Sequence, residues 1–73
     1  MNKVVKHEFV NDIIGVEEHH SFKLDNGDQI LILEKDYDRI MLHKSVNGKT
    51  YKAVVIEHED FETPIEYIGF ELV

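Results

Sequence analysis

Apolar residues in this chain fall in short runs whose alternation predicts β-strands rather than helices. Val4 to Val10 is the first run. Val5, His7 and Phe9 share one parity there, and Val4, Lys6, Glu8 and Val10 the other. Asn11-Asp12 can turn the chain. Ile13-Ile14-Gly15-Val16 then opens a second run that continues through Glu17 and His20 to Ser21-Phe22-Lys23-Leu24. Its glycine suggests a bulge or a close backbone approach.

Asp25-Asn26-Gly27-Asp28 is the strongest local signal, because Asn-Gly supplies the positive φ angles a tight hairpin needs. Two registers are open. A two-residue turn pairs Leu24 with Gln29 and sets Phe22 opposite Leu31. A type I turn with a glycine bulge pairs Leu24 with Asp28 and sets Phe22 opposite Ile30. The slip exchanges which of Ile30/Ile32 and Leu31/Leu33 shares the face of Phe22. Both faces of Ile30 to Leu33 are apolar, so this strand is expected to be central in a barrel, or covered by another layer or chain.

After the polar connection Lys35-Asp36-Tyr37-Asp38, a second hairpin is expected: Arg39 to Val46, a turn at Asn47-Gly48, then Lys49 to Glu59. With a two-residue turn, Ile40 faces Val55, Leu42 faces Ala53 and Lys44 faces Tyr51, and that face is expected to be core. The rival is one short helix capped by Asp38 and Gly48. The alternation of Ile40 and Leu42, continued by Tyr51 to Ile56, favours strands. Asp60 to Pro64 reads as a loop, and Ile65 to Val73 as a closing strand with Ile68, Phe70 and Leu72 on its core parity. The expectation is an all-β, mainly antiparallel fold. Five or six short strands would form a small barrel or curled sheet, SH3-like or OB-like in architecture.

Length changes this picture in one respect. The 73 residues have room for one small β domain spanning 1–73, whose core can only be thin. With no cysteine, no disulfide assists it, and pairing between copies (a homo-oligomer) is one outlet for apolar surface. The missing cysteines, and an N-terminus charged too early for a signal peptide, lead to a cytoplasmic expectation. No apolar run is long enough to span a membrane.

Fifteen acidic against eight basic residues give a formal charge of −7, which argues against direct nucleic-acid binding and against anionic membranes. Phe22, Tyr51 and Tyr67 are the rings that stacking on single strands would use, but stacking also needs an electropositive groove.

Candidate chemistry is sparse. There are five histidines, His7, His19, His20, His43 and His58. Several sit among carboxylates, as in Glu17-Glu18-His19-His20 and Glu57-His58-Glu59-Asp60, and His19, His20, His43 and His58 with nearby carboxylates could hold a metal or small ligand. Neighbours on a strand point to opposite faces, however, so the spacing supports no metal site. Asp25 to Asp28 fails the calcium-loop pattern, because Ile30 stands where that loop needs glycine. Ser21, Ser45, Thr50 and Thr63 sit in no nucleophile elbow, and the glycines form no phosphate loop. No catalytic residue and no cofactor are expected; the protein reads as a non-enzyme. Charge distribution remains. Glu57, Glu59, Asp60, Glu62 and Glu66 form one acidic group, and Glu34, Asp36 and Asp38 another. If the fold joins them, the anionic edge would engage a basic partner protein, as an interaction module that inhibits or regulates it. The alternative is a metal- or small-ligand-binding β domain built on the histidines.

Overall fold

A computed structural model describes residues 1–59, 62 and 64–73. Among them are six strands: β1 (Asn2–Val10), β2 (His19–Leu24), β3 (Gln29–Leu33), β4 (Leu42–Lys44), β5 (Thr50–Glu57) and β6 (Ile65–Leu72). A single 3-10 turn, Glu34–Asp36, follows β3. The sheet order is β3-β2-β1-β6-β5-β4 and every pairing is antiparallel. Apart from the β1–β6 join, at Asn2–Phe70 and Lys3–Gly69, each pairing is between sequence neighbours. A bridge between Ile30 and Ser45, with the Val46 N–H donating to the Gln29 carbonyl at 2.9 Å, draws the two edges together. The result is the expected all-β architecture, a nearly closed small barrel. No helix among the described residues is long and apolar enough to cross a membrane.

Both Asn-Gly sites build the same turn. The Gly27 N–H donates to the Leu24 carbonyl at 3.0 Å and the Leu24 N–H to the Asp28 carbonyl at 2.9 Å, with Gly27 at φ +89°. Gly48 repeats this with Ser45 and Lys49, at φ +86°. This is the three-residue loop with a glycine bulge, and it requires a residue tolerant of positive φ at its last position. In the first hairpin it selects the register that pairs Phe22 with Ile30.

In the second hairpin the same turn overturns the two-residue expectation. Leu42 pairs with Lys52 and His43 with Tyr51, one residue away from the expected partners. A one-residue slip moves every side chain to the other face. His43 and Ser45 are therefore buried, whereas Ile40, Met41 and Leu42 are exposed, Leu42 to 53%. The strand also shrinks to three residues.

Other departures have equally local causes. Ile13 to Val16 is a turn rather than the start of a strand. Asp12 (φ 58°) and Gly15 (φ 81°) take left-handed conformations, and the Val16 N–H returns to the Ile13 carbonyl at 3.1 Å. On β1 the register shifts between Val4 and Lys6, so Val4 and then His7 and Phe9 lie on the face of Leu24, Phe22 and His20. On β6 it shifts again: Val54 pairs with Gly69 but Val55 with Tyr67, leaving Ile68 as the extra residue. A bulge resets the parity of the residues beyond it. Tyr67 and Phe70 consequently both enter the core, Ile68 is half-buried, and Leu72 is exposed. Gly69 is demanded by close approach, since a Cβ there would lie 2.6 Å from the Met1 side chain and 2.7 Å from the Asn2 carbonyl oxygen.

The core consists of Phe22, Leu24, Ile30, Ile32, Tyr51, Ala53, Tyr67 and Phe70, with Val4, Tyr37, Val55 and Ile65 packed around it. One barrel end is sealed by a polar knot. Asp28, only 3% exposed, accepts from the Tyr51 hydroxyl, from Asn47 Nδ2 at 2.9 Å and from Lys49 Nζ at 3.1 Å. Asn26 Nδ2 donates to the Tyr51 oxygen at 3.0 Å. The knot gathers around the two Asn-Gly turns, with Tyr51 reaching in from β5.

Candidate functional site

At the opposite end the barrel is open. The β1–β6 ladder stops at Lys3–Gly69. Beyond it, Glu62 and Pro64 of the segment before β6 share a groove of about 600 Å³ with His7 and Phe9 of β1. The 3-10 turn provides the third wall. The Glu34 N–H donates to the Glu18 carbonyl (3.0 Å), the Tyr37 N–H to the Glu34 carbonyl (3.2 Å) and the Arg39 N–H to the Asp36 carbonyl (3.0 Å). These bonds fix the segment from which Glu34, Lys35, Tyr37 and Asp38 line the groove.

The floor is aromatic. Phe9, His20 and Tyr37 stack in succession, with ring centroids 4.7 Å apart and then 4.0 Å. His7 lies flat on Phe22 at 4.3 Å, and Tyr37 meets Tyr67 at 5.0 Å. The Tyr67 hydroxyl donates to the Tyr37 carbonyl, which pins that residue in place.

A chain of hydrogen bonds crosses this floor. His20 Nε2 bonds to Glu34 Oε2, and His20 Nδ1 lies 2.8 Å from His7 Nε2. An ionised carboxylate only accepts, so His20 Nε2 carries a proton. In the neutral pair His20 Nδ1 therefore accepts, and His7 donates from Nε2. Burial first, and the neighbouring His20 second, hold His7 below the usual histidine pKa. Tyr37 is raised by burial and then by Glu34 and Glu66. Tyr67 is raised to about 12 by burial, then by Tyr37 and Asp38.

Of the acidic residues singled out from sequence, Glu34, Asp38 and Glu62 line the groove together. Glu66 lines an adjoining hollow with His7, Tyr37 and His58, and is 3.2 Å from His58 Nε2. Asp36 lies 4.0 Å from Arg39 and is not among the groove's lining residues. Glu57 ends β5 opposite Ile65, and Glu59 is exposed beyond it. Asp60 lies outside the described residues.

The four candidate histidines do not converge. His19 Nδ1 bonds to the Glu17 carbonyl (2.9 Å), His20 sits in the aromatic stack and His58 faces Glu66. His43 is buried edge-on to Phe70, 8% exposed, with its Nε2 unpartnered. Among the described residues no group of three or more His, Asp or Glu could hold a metal ion. Phe22, Tyr51 and Tyr67, the rings a stacking surface would need, are core residues. Phe9 and Tyr37 are the site residues that sequence reasoning missed, and His7 was weighed as a histidine but not placed in this groove. Only the shared parity of His7 with Phe9 offered a signal for them.

Comparison with protein-family models, with curated proteins and with solved structures finds no match to the chain.

Proposed function

We propose that this protein is a small, acidic, non-enzymatic interaction module whose open-end groove receives a basic segment of a partner protein. The observation that carries the reading is the placement of Glu34, Asp38 and Glu62 around an aromatic floor in a chain of net charge −7. A lysine or arginine side chain suits both parts of that surface. Its charge meets the carboxylates, and its stem or guanidinium plane lies against the rings, worth about 0.5–1 kcal/mol at an exposed site. Among the described residues Lys35 is the one lysine lining the groove, and it lies 3.6 Å from Glu17, which draws its charge away from the groove carboxylates. Long-range attraction from the acidic surface would speed encounter with a basic partner, and occupying that partner's basic surface would inhibit or regulate it.

The test is titration with a short fluorescent Arg-Gly repeat peptide at low salt. Binding should weaken about tenfold or more when Asp38 and Glu62 are both changed to lysine, and should fall steeply with added salt. Binding that ignores both changes refutes the reading.

A second reading, self-association, is favoured by the exposed Leu31, Ile40, Met41, Leu42 and Val46 around the β3–β4 closure. Sedimentation at rising concentration decides it. A dimer dispersed by Leu42→Lys supports this reading, and a persistent monomer removes it.

A further inference from the structure

We infer that the Glu34–His20–His7 chain is a proton-operated gate on the groove, which admits a basic segment when the imidazole pair is neutral and rejects it when the pair is protonated. This rests on the reading of the groove as a receptor for a basic segment.

The geometry sets how many protons the pair can hold. In the neutral pair each bond has one donor and one acceptor: His7 Nε2–H to His20 Nδ1 at 2.8 Å, then His20 Nε2–H to Glu34. One added proton keeps both bonds, since the hydrogen between the rings can belong to either. A second leaves two donors facing each other, with ring centroids 5.1 Å apart, and the bond between them is lost.

Other charges around the pair do not cancel this effect. The 3-10 turn presents Glu34 and Lys35, the segment after it Tyr37 and Asp38, and the segment before β6 presents Glu62. The adjoining hollow adds His58, Glu66 and Tyr67. On β1 itself Lys6 and Glu8 pair with each other at 2.7 Å. Ordinary carboxylates stay ionised across the histidine range and tyrosines stay neutral, so within the groove it is the imidazole pair that changes charge. Each proton taken up offsets one of the three carboxylates that attract the ligand. The proton also bears on shape, because His7 and His20 are half of the ring floor. Breaking their bond disturbs the surface on which the cation rests.

The experiment measures binding of the same Arg-Gly repeat peptide at about pH 8 and about pH 5.5, a window in which arginine keeps its charge. The wild-type protein should bind about tenfold more weakly at the lower pH, the effect of one unit charge a few ångströms from the ligand at intermediate dielectric. Changing both imidazoles together, His7→Gln with His20→Gln, should bring the ratio between the two pH values close to one. His58→Gln and His19→Gln should leave it at the wild-type value. A flat wild-type profile with binding intact overturns the gate and leaves the receptor standing. So does a pH ratio that survives the His7→Gln, His20→Gln double change or disappears with His58→Gln. Absence of binding at both pH values overturns the receptor itself, and the gate with it.

Discussion

The two ends of this barrel are built from similar residue types and do opposite things with them. At the sealed end, Asp28, Tyr51, Asn26, Asn47 and Lys49 satisfy one another in a closed set. At the open end, Glu34, His20, His7 and Tyr37 also bond and stack, but beside a groove of about 600 Å³ lined by further carboxylates. A buried polar group adds stability only when its partners are complete, and the sealed end meets that condition. The open end instead leaves its polar groups beside solvent. Polar residues in this thin-cored chain thus divide between a closed set inside the barrel and a set that borders a groove, according to whether both sides of the residue are covered.

The largest break in this contrast comes from the sealed end. Tyr51→Ala removes a buried ring together with the hydroxyl that bonds Asp28, and should cost about 3–5 kcal/mol in urea unfolding. Tyr37→Ala at the half-buried open end should cost clearly less while abolishing peptide binding. Equal losses for the two would erase the distinction.

Acid comes next and acts on Asp28, on His43 and, through its own lowered pKa, on His7. Asp28 has its pKa lowered to about 2, by the Tyr51 hydroxyl first and Asn47 second. The unfolded chain takes up that proton first. The contribution of Asp28 is therefore full above the unfolded carboxylate value of about 3.9 and is lost as pH falls toward about 2. Asp28→Asn should remove that low-pH step from the unfolding curve. His43 is also lowered, by burial against the opposing pull of Asp36. It stays neutral in the fold while the unfolded chain protonates, so its contribution is full above about pH 6.5 and declines below it. His43→Leu should lessen the decline below about pH 6.5, with His7 supplying what remains. By removing the unpartnered Nε2 it should also raise stability near neutral pH by about 1 kcal/mol. A steeper decline in that variant would contradict the assignment.

Smaller effects sharpen the contrast. Gly27→Ala and Gly48→Ala should each cost about 1 kcal/mol, because both sit at positive φ in the turns that support the knot. Smallest of all, Asp36→Asn should leave affinity for the Arg-Gly peptide within about twofold, since that carboxylate lies beside Arg39 and outside the groove lining. A loss as large as that from the Asp38 and Glu62 changes would mean that overall charge, rather than the groove, governs binding.

The strands and the position of both hairpin tips were legible in the sequence because Asn-Gly and alternating β-branched runs are local signals. Register in the second hairpin was not. Two- and three-residue loops use the same Asn47-Gly48 pair, and only the packing of His43 and Ser45 into the barrel interior separates them. The bulges at Val5 and Ile68 were equally hidden, since a bulge is set by how partner strands bend; Gly69 was the single trace of one. The gathering of Glu34, Asp38 and Glu62 could be framed in advance as a condition on the fold. The ring floor could not, because His7, Phe9, His20 and Tyr37 come from three separate stretches of chain that only tertiary structure stacks.

The placement of the two joins has a mechanical consequence. Strands β1 to β3 and β4 to β6 are stitched to each other by strand pairing at Asn2–Phe70, Lys3–Gly69 and Ile30–Ser45, away from the groove. Among the described residues no strand pairing joins the two halves beside the groove, where the Tyr67 hydroxyl ties the carbonyl of Tyr37 instead. With fewer backbone bonds across it, that end should exchange its amides faster, at Phe9 and Ile65, than the paired end does at Leu24 and Tyr51.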